Sequence, residues 1–171
     1  ATKMKAIRER KSIEFDVRPV GTMLSFEVSG DASGKSVSGS GKWKSGVFEG
    51  YFVQRLGKYD HDPKVRTLVG NTISKVTGNN ANTLTLATNL GASSGERVYI
   101  VQNSDAAQIS VSPDASAEEW AMLPKWIFVD VHYDGDDESC LPLKFKPDGS
   151  LKASEYKIIV DIVDIRGKAG D

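Results

Sequence analysis

The chain has 171 residues, with 22 Lys and Arg against 23 Asp and Glu, 39% hydrophobic residues and one cysteine, Cys140. That length can bury a sizeable core, and a net charge of −1 supplies no global field toward nucleic acid or a membrane. A lone cysteine excludes an intrachain disulfide, and no apolar run approaches the roughly 18 residues that a membrane-spanning helix needs.

The start, "ATKMKAIRERK", has no apolar stretch of the kind a secretion signal carries, so synthesis and folding in the cytoplasm are expected. This segment is read as a basic arm over residues 1–11, with a short helix as one option for "TKMKAIRERK". Residues 12–171 are read as a single β-rich domain. In "SIEFDV", Ile13, Phe15 and Val17 alternate with charged residues, the period-2 pattern of a half-buried strand. "LSFEV" repeats it. Pro19 and Gly21 lie between, so the two segments are expected to form a hairpin. The Gly/Ser-rich run from Ser29 to Gly46 fits either a loop or short strands with tight turns. "VFEGYFVQRL" follows as an apolar strand, with Gly50 as a possible bulge.

"NTISKV" reads as a strand and "TGNNAN" as a turn, because Gly and Asn tolerate positive φ. "TLTLATNL" puts Leu84 and Leu86 on one face. "GASSG" is a second turn, and "ERVYIVQ" and "QISVS" are further strands. "SPDASAEEWAML" is the one internal segment with helical character: Ser116 and Glu119 have capping-box spacing, and Pro124 would end the helix. "WIFVDVHY" is a β-branched and aromatic strand. Pro147-Asp148-Gly149 marks a turn. "YKIIVDIVDI" reads as a strand, although Ile158, Ile159, Ile162 and Val163 would also stripe a helix. The fold class expected is mainly β: an antiparallel sandwich or barrel of about nine or ten short strands with one or two short helices.

Candidate chemistry is sparse. "DGDDESC" lacks the Gly position and the later Glu of a calcium loop, so a solvated turn is expected. Asp60, His61 and Asp62 are consecutive, and in an extended segment they would not converge on a metal. His132 lies in a strand. Cys140 has no base or nucleophile signature beside it. Gly34-Lys35-Ser36 fails the phosphate-loop pattern because Ser29 stands where a Gly is required. No catalytic, cofactor or metal residues are assigned, and no enzymatic activity is expected. Trp43, in the Gly/Ser run, is the candidate for stacking on a sugar ring, whereas Trp120 and Trp126 are expected to pack in the core. Lys3, Lys5, Arg8, Arg10 and Lys11 put five cations into nine residues, opposed by Glu9 alone. They are the candidates for contact with an acidic neighbouring subunit, since the remaining chain carries 17 cations and 22 acids.

"GNTISKVTGNNANTLTLATNLGASSGERVYIVQ" resembles β-modules in structural proteins of tailed bacteriophages. The matching pieces are Gly70 to Val76, Thr83 to Leu86 and Gly95 to Ile100, within a segment that covers about a fifth of the chain. The resemblance implies a non-enzymatic virion protein: a capsid decoration protein, a head–tail joining protein or a tail protein. Its expected partners are copies of itself and other virion proteins. No small-molecule substrate, membrane or direct nucleic-acid contact is expected. The alternative reading is a carbohydrate-binding or adhesion β-sandwich that uses Trp43.

Overall fold

The computed structural model describes residues 2–30, 34–56, 58–59, 68–69, 72–102, 108–115, 120–135, 140–151 and 157–164. Of these residues, 49% lie in strands and 7% are helical, and the sheets are antiparallel. The expected mainly-β class is therefore observed. The described elements are one helix, α1 (Thr2–Glu9), and fourteen strand segments. In chain order the strands are β1 (Ile13–Pro19), β2 (Thr22–Glu27), β3 (Ser36–Ser38), β4 (Phe52–Arg55), β5 (Lys58–Tyr59), β6 (Leu68–Val69) and β7 (Thr72–Asn79). They continue with β8 (Thr83–Leu86), β9 (Arg97–Val101), β10 (Ile109–Ser112), β11 (Ala121–Met122), β12 (Ile127–Tyr133), β13 (Leu143–Phe145) and β14 (Ile158–Asp164). The chain divides into two compact units: residues 1–18, 58–67 and 107–171, and residues 19–57 and 68–106.

The second unit is a closed barrel. Its strands run in the order β2-β9-β4-β7-β8-β3. The edge strands then meet, because Val28 bridges Gly39 and the Ser29 N–H donates to the Ser38 carbonyl at 2.8 Å. Alternation decides what fills it: Val28, Val37, Val53, Val76, Leu84, Leu86, Val98 and Ile100 are buried together, while Lys75, Thr77 and Thr85 face out. Leu90 and Ala92 of the following turn join this core. The β7–β8 turn is set by Asn80, whose Oδ1 accepts from the N–H groups of Asn82 (3.0 Å) and Thr83 (2.9 Å), an Asx-type closure. The "GASSG" turn closes through the Ser93 N–H donating to Glu96 Oε2, with Gly95 at φ 80°.

The Gly/Ser run combines both options open to it. It holds β3 and then a loop fastened by Asn79, which sequence patterning did not single out. Asn79 Oδ1 accepts from the Phe48 N–H and its Nδ2 donates to the Lys44 carbonyl, each at 2.9 Å. This loop covers residues 45–50 as turn, so the strand expected from Val47 begins only at Phe52.

The first unit contains two smaller sheets. One has the order β11-β10-β1-β13, and the other pairs β12 with β14 over seven residues. Two expectations are corrected here. β1 and β2 do not form a hairpin, because β1 lies between β10 and β13 whereas β2 lies beside β9. Pro19 and Gly21 supply a reversal, but turn chemistry does not choose the partner strand. The expected helix over residues 112–123 is also overturned at both ends. Ser112 ends β10, and β11 pairs with β10 through Ser110–Met122 and Val111–Ala121. Trp120 is half-buried beneath the Arg18 guanidinium, 3.7 Å from the ring centroid. Sheet pairing overrides the local helical preference. The capping pair Ser116 and Glu119 lies outside the described residues.

Candidate assembly interface

The amino-terminal segment folds as α1, and its helical spacing sorts its side chains. Thr2 and Ala6, four residues apart, are buried. Lys3, Met4, Ile7 and Arg8 are exposed, Met4 at 66% and Ile7, which packs on a turn of its own chain, at 40%. Arg10 ends the helix at φ 52°, the left-handed conformation of many helix termini. The buried side is pinned by charge: Lys5 Nζ lies 3.2 Å from Oδ2 of Asp114, which is fully buried. Lys11 Nζ lies 3.9 Å from the same oxygen and 2.8 Å from Glu9 Oε2. The Lys11 hydrogen bond holds the Glu9 carboxyl below its usual range, and Glu9 reciprocally raises Lys11.

The five sequence-predicted cations therefore serve two ends. Lys5 and Lys11 reach the buried Asp114, whereas Lys3, Arg8 and Arg10 stay on the outer surface, where the Arg8 guanidinium lies 3.9 Å from Glu9 Oε1. Ile7 is seated over the "KPDGS" turn, where Gly149 (φ 82°) leaves room for it. A Cβ added at Gly149 would lie 2.7 Å from Ile7 Cδ1. That turn is the one expected from Pro147-Asp148-Gly149. It is closed by the Lys146 N–H donating to the Ser150 carbonyl and by Asp148 Oδ1 accepting from the Ser150 N–H, both at 2.8 Å.

A second exposed apolar group was not identified from the sequence as a site. On β14, Val160 (51%) and Ile162 (71%) are exposed, and Asp164 continues the same face. Their cross-strand partners on β12, Val131 and Val129, are buried. The stripe is thus one strand wide. Asp134 lies beyond its other end, 3.3 Å from Lys157. The sequence signal was the apolar run "IIVDIVD", which announces a strand without saying which of its faces is covered.

Trp43 is placed as packing. It is half-buried, edge-on to Phe26 (5.0 Å between centroids) and to Phe48 (5.5 Å). Gly39 and Gly41 lie against its indole, so closely that a Cβ at Gly41 would collide with Nε1. His132 Nδ1 lies 3.7 Å from Asp130 Oδ2, both residues being buried in β12. Cys140 is partly buried, and burial pushes its thiol pKa up, away from the reactive thiolate. Asp60, His61, Asp62, Asp136, Asp137 and Glu138 lie outside the described residues. Among the described residues, no three His, Cys, Asp or Glu side chains gather as a metal site.

These features define a mainly-β protein with a closed barrel unit and a second unit that exposes charged apolar surfaces. Comparison of the chain with protein-family models, with curated proteins and with solved structures gives no match.

Proposed function

We propose that this chain is a structural protein of a tailed-phage virion, a capsid decoration, head–tail joining or tail component, whose work is assembly with copies of itself and other virion proteins. The observation that carries the assembly reading is the pair of apolar surfaces on one unit: Met4 and Ile7 on α1 among Lys3, Arg8 and Arg10, and Val160 and Ile162 on β14 beside Asp164. Contiguous apolar surface bordered by charge is what protein–protein contacts use. The virion part of the reading is supported by the strand-and-turn signature, whose pieces fall on β7, β8 and β9 of the barrel. The carbohydrate alternative loses its main support, because the Trp43 ring is engaged by Phe26, Phe48, Gly39 and Gly41.

The test combines two measurements. Peptides of this chain are expected in purified particles made by the genome that encodes it, detected by mass spectrometry. Sedimentation velocity of the purified full chain is expected to show concentration-dependent association. A protein that is absent from particles and monomeric at every concentration sinks the proposal.

A further inference from the structure

We infer that α1 is an exchangeable clasp: in the assembled state, α1 of one copy seats in the socket of a second copy of this chain, through the same contacts that it makes at home. This rests on the assembly reading above and names one of its contacts. The socket is built for this helix. It buries Thr2 and Ala6 and offers the fully buried Asp114 carboxylate to Lys5 Nζ at 3.2 Å, and Gly149 leaves the space that Ile7 occupies. A buried carboxylate left without its cation is costly, so a socket that loses its own helix favours another. A second copy supplies Lys5, Ala6 and Ile7 at matching positions by identity.

The link decides whether the helix seats at home or next door. Arg10, Lys11 and Ser12, all exposed, are the whole connection between α1 and β1. The chain reverses through Arg10 at φ 52°, and among the described residues no other non-glycine residue has positive φ. Arg lacks the glycine freedom that makes this conformation cheap, so the reversal is strained. An extended Arg10 relieves the strain and carries α1 off its own socket on a link of roughly 10 Å. The Glu9–Lys11 pair that spans the reversal lies at the surface and holds it weakly. An eight-residue helix does not persist undocked, so a released α1 is stable only in another socket. Contacts are the same in both arrangements. The tether favours the home seat, whereas relieved strain and crowded copies favour exchange.

The experiment uses full-length variants at Arg10. Arg10→Gly adopts φ 52° freely and is expected to hold the helix at home. Arg10→Pro, with φ fixed near about −65°, cannot make the reversal. It is expected to associate at least about tenfold more tightly than wild type in sedimentation velocity. Circular dichroism checks folding, and Arg10→Val serves should the proline variant fail to fold. The seat itself is read by refolding ¹⁵N-labelled and unlabelled Arg10→Pro chains together and joining amines to carboxylates with a carbodiimide. Peptides linking Lys5 to Asp114 are then sequenced by mass spectrometry. In the associated fraction, links between a labelled and an unlabelled half are expected; in the monomer fraction of Arg10→Gly, links within one label only. Association without mixed links overturns this inference and leaves the assembly reading standing. A folded Arg10→Pro variant that associates no more tightly than Arg10→Gly overturns it as well.

Discussion

Among the described residues, two large apolar side chains are exposed in the barrel unit, Met23 and Val47, and six in the other unit: Met4, Ile7, Met122, Trp126, Val160 and Ile162. The difference follows from closure. A sheet joined edge to edge, as β2 and β3 are through Val28–Gly39, has one interior, and period-2 alternation sends every second side chain into it. On the face of the β12–β14 ladder that holds Val129, Val131, Val160 and Ile162, the β12 side chains are covered and those of β14 are not, so alternation there leaves apolar groups facing water. One region covers its apolar side chains within itself, and the other leaves several of its own exposed.

The sharpest way to break this comparison is at Leu84, which is fully buried inside the barrel. Leu84→Ala is expected to cost about 3–4 kcal/mol, lost transfer energy plus a cavity. Hydrogen exchange should report this loss in β7, β8 and β9 and leave β12–β14 protection within a few tenths. Equal loss in both places would mean that the two regions unfold together.

Next in size is the anchor of α1. Lys5→Met leaves the buried Asp114 carboxylate without its closest cation, at an expected cost of about 3 kcal/mol to the unit that holds them. Adding Asp114→Asn should restore part of this, measured by urea unfolding. If Lys5→Met changes nothing, the helix is not held by that pair, and the division of the five cations between inner and outer roles fails.

The smallest effect concerns the turn under Ile7. Asp148 is fully exposed, and its hydrogen bonds from Ser150 lower its carboxyl below the ordinary range. A folded-state pKa below the unfolded one means stability that is present above the unfolded value and lost as pH falls through the folded one. The stability difference between wild type and Asp148→Asn should hold steady from neutral pH down to about 5 and shrink below about 4. A difference that grows on acidification would reverse the assignment.

Much of this protein was determined locally. Alternation in "SIEFDV", "TLTL" and "ERVYIV" specified strands and the buried faces of Leu84, Leu86, Val98 and Ile100, because a strand places successive side chains on opposite sides whatever its partner. Asn80, Gly95 and Gly149 specified turns, because their conformations depend on their own bonds. The basic character of residues 3–11 was equally plain. Tertiary structure decided what depends on distant partners. It sent β1 to β10 and β13 instead of β2, and it drew Ala121–Met122 into a ladder with β10 where local preference favoured helix. It packed Trp43 between Phe26 and Phe48, and it paired Lys5 with Asp114, more than a hundred residues along the chain. It left Val160 and Ile162 outside while burying the equally apolar Val129 and Val131 across the ladder. A hydrophobic residue states that it gains by burial, but whether a surface arrives to cover it depends on residues far away in sequence.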